Sequence, residues 1–88
     1  MKRPGVTLEV LYFAWIRERI GLPRETVDTQ AATVADLIAE LSAREPRYAA
    51  AFSDPSAVRV AVDQTLSDIE SPLEGAREVA FFPPMTGG

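Results

Sequence analysis

The sequence finishes Phe82-Pro83-Pro84-Met85-Thr86-Gly87-Gly88, and the group in that run able to do chemistry is the carboxylate of Gly88. Glycine has no Cβ, so two in succession make a strip of backbone thin enough to enter a narrow channel and present a carboxylate to another protein's active site. Paired glycines at a given place arise by chance in about one chain in 200, so the residues before them carry the argument. Glu78-Val79-Ala80-Phe81-Phe82 reads as a strand, and Pro83-Pro84 fixes φ and removes two backbone donors just after it. Sheet pairing should stop there and the chain should leave extended. Six residues, Pro83 to Gly88, then reach roughly 20 Å, far enough to carry a carboxylate from the domain body into a partner's cleft. The expected organisation is a folded domain over residues 1–82 and an extended tail over residues 83–88.

Other chemistries are excluded by composition. The 88 residues include no cysteine and no histidine, which removes Ser-His-Asp and Cys-His nucleophile arrangements, thiolate metal sites and disulfides. Asp63, Asp68 and Glu70 lie near one another, but their spacing fits no calcium loop and reads as a solvated turn. A net charge of −4 argues against a nucleic-acid partner and favours a basic or apolar one. Met1-Lys2-Arg3 before Leu8–Ile16 has the outline of a signal peptide, yet Glu9 interrupts the apolar run and Arg17-Glu18-Arg19 follows with no small-residue cleavage site. No run has transmembrane length, and a cytoplasmic location without membrane partners is expected. The nine basic residues are one lysine, Lys2, and eight arginines, so a tag that builds chains on its own lysines would have almost no place to build them. Arg17 and Arg19 are expected to be solvated.

The elements that must hold the tail are legible from periodicity. Val6, Leu8, Val10 and Tyr12 alternate with Thr7 and Glu9, predicting a strand with one buried side over 6–13. Ala14 to Ile20 is expected to make one or two helical turns closed by Gly21, leading into a second strand from near Pro23 through Thr26-Val27-Asp28. Thr33 with Asp36 three residues on is a capping pattern, and Val34, Leu37, Ile38 and Leu41 recur at helical spacing. This helix should end near Glu45 because Pro46 follows. Tyr48–Phe52 adds a turn of helix, Val58–Asp63 a third strand, Thr65-Leu66 a short return strand, Ser71–Gly75 a turn, and Arg77–Phe82 the last strand. The order β-β-α-β-(β)-β predicts an α+β domain: a mixed sheet of four to five strands with one main helix packed on one face.

Tail and element order together resemble the ubiquitin-like β-grasp sulfur carriers, most closely the small-subunit family of molybdopterin synthase. The resemblance runs through Tyr12-Phe13-Ala14, Arg17-Glu18, Gly21, Thr33-Val34, Asp36-Leu37, Val60-Ala61-Val62, Gln64, Gly75 and Glu78–Pro84, and is most specific in the Phe-Pro-Pro-x-Thr-Gly-Gly ending. Asp63 stands where that family usually has asparagine, and the turn from Gly75 to Glu78 is one residue longer than usual. The resemblance implies no bound cofactor. It implies that an E1-like adenylyltransferase uses ATP to adenylate the Gly88 carboxylate, that a persulfide sulfur donor converts it to a thiocarboxylate, and that the carrier docks on the large synthase subunit. There it would deliver sulfur to a cyclic pyranopterin monophosphate in molybdenum cofactor biosynthesis. In that reading Gly88 and Gly87 form the reactive tip, while Leu66, Phe82, Pro83, Pro84, Met85 and Thr86 meet partners. By alternation Val79 and Phe81 share one strand face and Phe82 the other; from sequence, Phe82 and Leu66 are each either docking anchors or ordinary core. Three alternatives stand: a sulfur carrier for thiamin thiazole or tRNA thiolation, a ubiquitin-like protein modifier, and an interaction module with an idle tail.

Overall fold

A computed structural model describes residues 5–84. Five strands form one sheet: β1 (Val6–Tyr12), β2 (Arg24–Thr29), β3 (Arg59–Val62), β4 (Thr65–Ser67) and β5 (Glu78–Phe82), in the spatial order β2-β1-β5-β3-β4. Strands β1 and β5 run parallel, and every other neighbouring pair is antiparallel. The last strand is thus the central one. Helices α1 (Ala14–Ile20), α2 (Val34–Arg44) and α3 (Pro46–Ala51) and a 3-10 turn at Pro55–Ala57 complete the described residues.

The α2 boundaries follow from local chemistry. Thr33 is extended and its Oγ1 accepts from Asp36 N at 3.2 Å, satisfying one of the amides a helix start leaves unpaired. Pro46 stops α2, holding Glu45 extended at φ −149° and ψ 148°, and then serves as the first residue of α3, where its missing N–H costs nothing. The sequence expectation of a single turn beginning at Tyr48 therefore understates this segment. Gly21 closes α1 at φ 92°, donating its N–H to the Arg17 carbonyl at 2.7 Å.

The main helix α2 packs on one sheet face, and the shorter α1 and α3 join it there. Leu8, Val10 and Tyr12 of β1, Val60 of β3, and Val79 and Phe81 of β5 pack with Ile16 and Ile20 of α1, Val34, Leu37 and Leu41 of α2, and Tyr48 and Ala51 of α3. At about 25 cal/mol per Å² of apolar surface removed from water, burial on this side is the main source of stability for so small a domain. No helix is long and apolar enough to cross a membrane among the described residues.

Three predicted boundaries shift by a residue or so. β2 starts at Arg24 rather than near Pro23, β3 starts at Arg59 because Val58 caps the 3-10 turn, and β5 starts at Glu78. At the head of β5, Asp63 intervenes. Its Oδ1 accepts from both Arg77 N and Glu78 N at 2.9 Å, and its own N–H donates to the Glu78 carbonyl at 2.9 Å.

Candidate functional site: the exit of the last strand

Phe81 and Phe82 divide the end of β5 between the two sheet faces. Phe81 is fully buried, stacked on Tyr12 with ring centroids 6.2 Å apart and edge-on to Phe52 at 4.9 Å. Its carbonyl accepts from Phe13 N at 3.1 Å. The strand is therefore anchored one residue before the tail starts. Phe82 lies on the face without helices, half-buried and directly opposite Arg59, and is not among the buried core residues.

On that outer face the register assembles an apolar row. Leu11 pairs with Ala80, Ala80 with Ala61, and Ala61 with Leu66, so four strands contribute neighbours. Leu66 is 67% exposed at the β4 edge. Nearer the exit, Leu11, Phe13, Ala80, Phe82, Pro83 and Pro84, with Gln64 and Glu78 beside them, line a shallow open hollow of about 690 Å³. Phe82, Pro83 and Pro84 are thus brought together, whereas Leu66 joins the same face from two strands away. Met85, Thr86, Gly87 and Gly88 lie outside the described residues. Phe13, 45% exposed, and Leu11 were missed by the sequence reading, although the alternation that buries Tyr12 necessarily turns them outward.

Below the apolar row the same face turns acidic. Glu9 and Glu78 are opposite one another on the parallel pair β1/β5, an arrangement of like charges that costs stability. Arg24 Nε at 3.0 Å from Glu9 Oε1, with the Thr26 hydroxyl donating to Glu9 Oε2 at 3.4 Å, offsets one of them. Glu78 has no side-chain partner among the described residues. Asp63 does its work through backbone: the Arg77 and Glu78 amides hold its carboxyl below the usual carboxylate range. Asp63 at φ 49° and Gln64 at φ 70° make the two-residue turn between β3 and β4, a left-handed conformation that such hairpin turns require and that aspartate tolerates. Asp63 is an exposed turn acid, as read, but one that fixes where the tail-bearing strand begins.

A second polar cluster sits on the helix side. Glu25 Oε2 accepts from Tyr12 Oη at 2.8 Å and from Tyr48 Oη at 2.6 Å. Arg47 lies 5.0 Å from the Tyr48 ring centroid and donates from Nη1 to the Ile20 carbonyl at 2.8 Å. Burial, reinforced by the bond to Glu25, pushes the Tyr48 phenol up to about 12 and raises Tyr12 still further. Every member has a partner, so the cluster fastens β1, β2, α1 and α3 together beneath Phe81 and does not expose a reactive group.

Among the described residues no three side chains of His, Cys, Asp or Glu gather as a metal site. The geometry offers a held strand, apolar side chains around its exit and an acidic border.

Comparison with known proteins accords with this geometry. The ThiS family matches residues 10–88. The chain is 41% identical over 81 residues to the molybdopterin synthase sulfur carrier subunit of Escherichia coli, covering 92% of this chain and 99% of that one. It is 34% identical over 85 residues to the protein of the same name from Mycobacterium tuberculosis, covering 94% and 99%. The crystal structure of small archaeal modifier protein 1 from H. volcanii superposes with a TM-score of 0.73 at 25% identity, covering 92% of this chain and 100% of that one. An α+β sheet of this order, full-length likeness to those carriers and a match over residues 10–88 establish that the chain belongs to the ThiS family of β-grasp sulfur carriers.

Proposed function

We infer that this protein is the sulfur carrier subunit of a molybdopterin synthase and that its cargo rides on the Gly88 carboxylate. The observation that carries the reading is the exit of β5: Phe81 locked in an aromatic cluster, Phe82, Pro83 and Pro84 on an open apolar face, and a thin Gly87-Gly88 tip beyond. Residues 1–82 act as the handle and residues 83–88 as the arm.

A carboxylate is a poor electrophile. An E1-like adenylyltransferase uses ATP to convert the Gly88 carboxylate into an acyl-adenylate. The terminal sulfur of a persulfide donor then displaces AMP to form an acyl disulfide, and a partner thiol cleaves its S–S bond, leaving a disulfide on the donor side and the Gly88 thiocarboxylate. That sulfur passes to a cyclic pyranopterin monophosphate once the carrier is seated on the large synthase subunit. Nothing in this chain supplies the catalytic groups for these steps, so its residues bind, orient and present. Phe82 and Leu66 serve as anchors on the partner, Pro83 and Pro84 stiffen the root of the arm, and Met85 and Thr86 fill the channel that leads Gly87 and Gly88 to the reacting atoms. A partner with basic residues facing Glu9 and Glu78 matches the acidic border. The cycle belongs in the cytoplasm, where no disulfide is needed, and involves neither nucleic acid nor membrane.

The test is the intact mass of the full chain after incubation with its adenylating partner, ATP and a persulfide donor. Replacement of one oxygen by one sulfur at Gly88 is expected, and its absence with a demonstrably active partner overturns the reading. Likeness to a small archaeal modifier protein supports a second reading, in which Gly88 is joined to lysines of other proteins. High-mass conjugates in lysate that vanish on deleting Gly88 would favour it.

A further inference from the structure

We propose that the open edge of β2 pairs antiparallel with β2 of a second copy of this chain, joining two sheets across a two-fold axis at Thr26. Strand β2 is hydrogen-bonded to β1 on one side, and no described strand lies along its other side. The bonding pattern identifies the groups that face this open side. Tyr12 N donates to the Pro23 carbonyl at 2.9 Å, and an antiparallel ladder bonds every second residue, so Glu25, Val27 and Thr29 turn their backbone groups to Val10, Leu8 and Val6. The N–H and C=O groups of Arg24, Thr26 and Asp28 therefore point outward, and all three residues are exposed. Such a row is a template for another strand. The opposite border of the sheet offers less, because β4 is only Thr65–Ser67.

The side chains select the occupant. Arg24, Thr26 and Asp28 share the face without helices, where Arg24 Nε lies 3.0 Å from Glu9 Oε1 and the Thr7 hydroxyl donates to Asp28 Oδ1 at 2.7 Å. Among the described residues the Arg24 Nη groups and Asp28 Oδ2 have no further partner. With Thr26 opposite Thr26 of the second copy, an antiparallel register sets Arg24 opposite Asp28 and Asp28 opposite Arg24. The same register puts the outward-facing residues in bonded pairs, giving roughly six backbone hydrogen bonds. Charge complementarity and backbone bonding thus agree on one alignment. Slipping it by two residues loses both ion pairs, and slipping it by four sets Arg24 on Arg24 or Asp28 on Asp28, where directly opposed like charges are destabilising.

One pair of six-residue strands covers less than the roughly 1,000 Å² of a stable interface, so the dimer is a transient one. It leaves the site at the end of β5 open. Five strands from each copy form the joined sheet, and β1 stands between β5 and the junction. Because the two β5 strands then run antiparallel, Phe82 of each copy marks an exit at an opposite end of the joined sheet.

The test is analytical ultracentrifugation of the full chain from about 10 µM to about 1 mM, the range in which weak pairs form. Wild type should pass from monomer to dimer. Arg24→Glu and Asp28→Arg each place two like-charged pairs across the junction and should weaken association about tenfold or more. An equimolar mixture of those two variants should recover association close to wild type, since every cross-strand pair again joins opposite charges. Unfolding cannot imitate that recovery. The sequence has no cysteine, so Thr26→Cys brings a single thiol, and bonded partners about 5.5 Å apart at Cα lie within disulfide reach. Mild oxidation should link Thr26→Cys into dimers about tenfold faster than the same variant carrying Arg24→Glu. A wild type that stays monomeric at the highest concentration overturns the proposal. So does association that the charge variants leave unchanged, or a mixture that fails to recover it. Each readout is association alone, so the outcome is independent of whether Gly88 carries sulfur.

Discussion

Two consecutive phenylalanines, Phe81 and Phe82, occupy opposite worlds. The first has no exposed surface and is packed between Tyr12 and Phe52; the second sits half-buried on a bare sheet face beside Pro83 and Pro84. The pleat alone separates them. Burial is concentrated on the helix-covered side, and the proposed function puts recognition on the other, so substitutions on the two faces should have separable effects.

The sharpest break of that comparison removes neither ring. Deleting Gly87 and Gly88 should abolish sulfur loading outright while leaving the thermal midpoint unchanged, since no residue of the core is touched; mass spectrometry and calorimetry on the same sample check both halves. Next in size, Phe81→Ala should cost about 3–5 kcal/mol, a large share of the stability of a domain whose total is about 5–15 kcal/mol, measured by urea titration. Phe82→Ala should lower stability by less than about 1 kcal/mol yet weaken binding to the large synthase subunit by about tenfold or more. If Phe82→Ala unfolded the domain, the division between faces would be wrong.

Smaller effects probe the ties between the layers. Glu25→Ala strands two phenols, at about 1–3 kcal/mol for a buried group left unpaired, and Tyr48→Phe should be milder because it removes donor and need together. The Tyr48 phenol is raised from 10.0 to about 12, so the stability held by its neutral form is intact below pH 10 and is lost as pH climbs through about 12. Alkaline melts of Tyr48→Phe should show a shallower decline over that window. Smallest is Asp63. Asp63→Ala should lower the thermal midpoint slightly by freeing the Arg77 and Glu78 amides, whereas Asp63→Asn keeps the accepting oxygen and should differ from wild type only in losing a weak acid dependence. Because the Asp63 carboxyl lies below 3.8, the stability it gives is present above that pH and fades as pH falls beneath it.

Local patterns made most of the scaffold readable. Thr33 and Asp36 marked the start of α2, alternation from Val6 to Tyr12 gave the buried face of β1, and Pro46 marked the end of α2. The second role of Pro46, opening α3, was equally local and was passed over. Other features depend on register between distant strands, which no short pattern encodes. The opposition of Glu9 and Glu78, the row from Leu11 to Leu66 and the capture of Tyr12 and Tyr48 by Glu25 exist only once all five strands are aligned and α3 is packed on them. Asp63 looked like any acid in a turn because its partners are backbone amides 14 and 15 residues away.

β5 lies between β1 and β3, with ladders on both flanks. A partner that tugs on the tip therefore loads two rows of hydrogen bonds along their length at once, in shear, instead of peeling a border strand bond by bond. On the proposed function, a partner could draw in the end of the chain and release it again without unravelling the sheet.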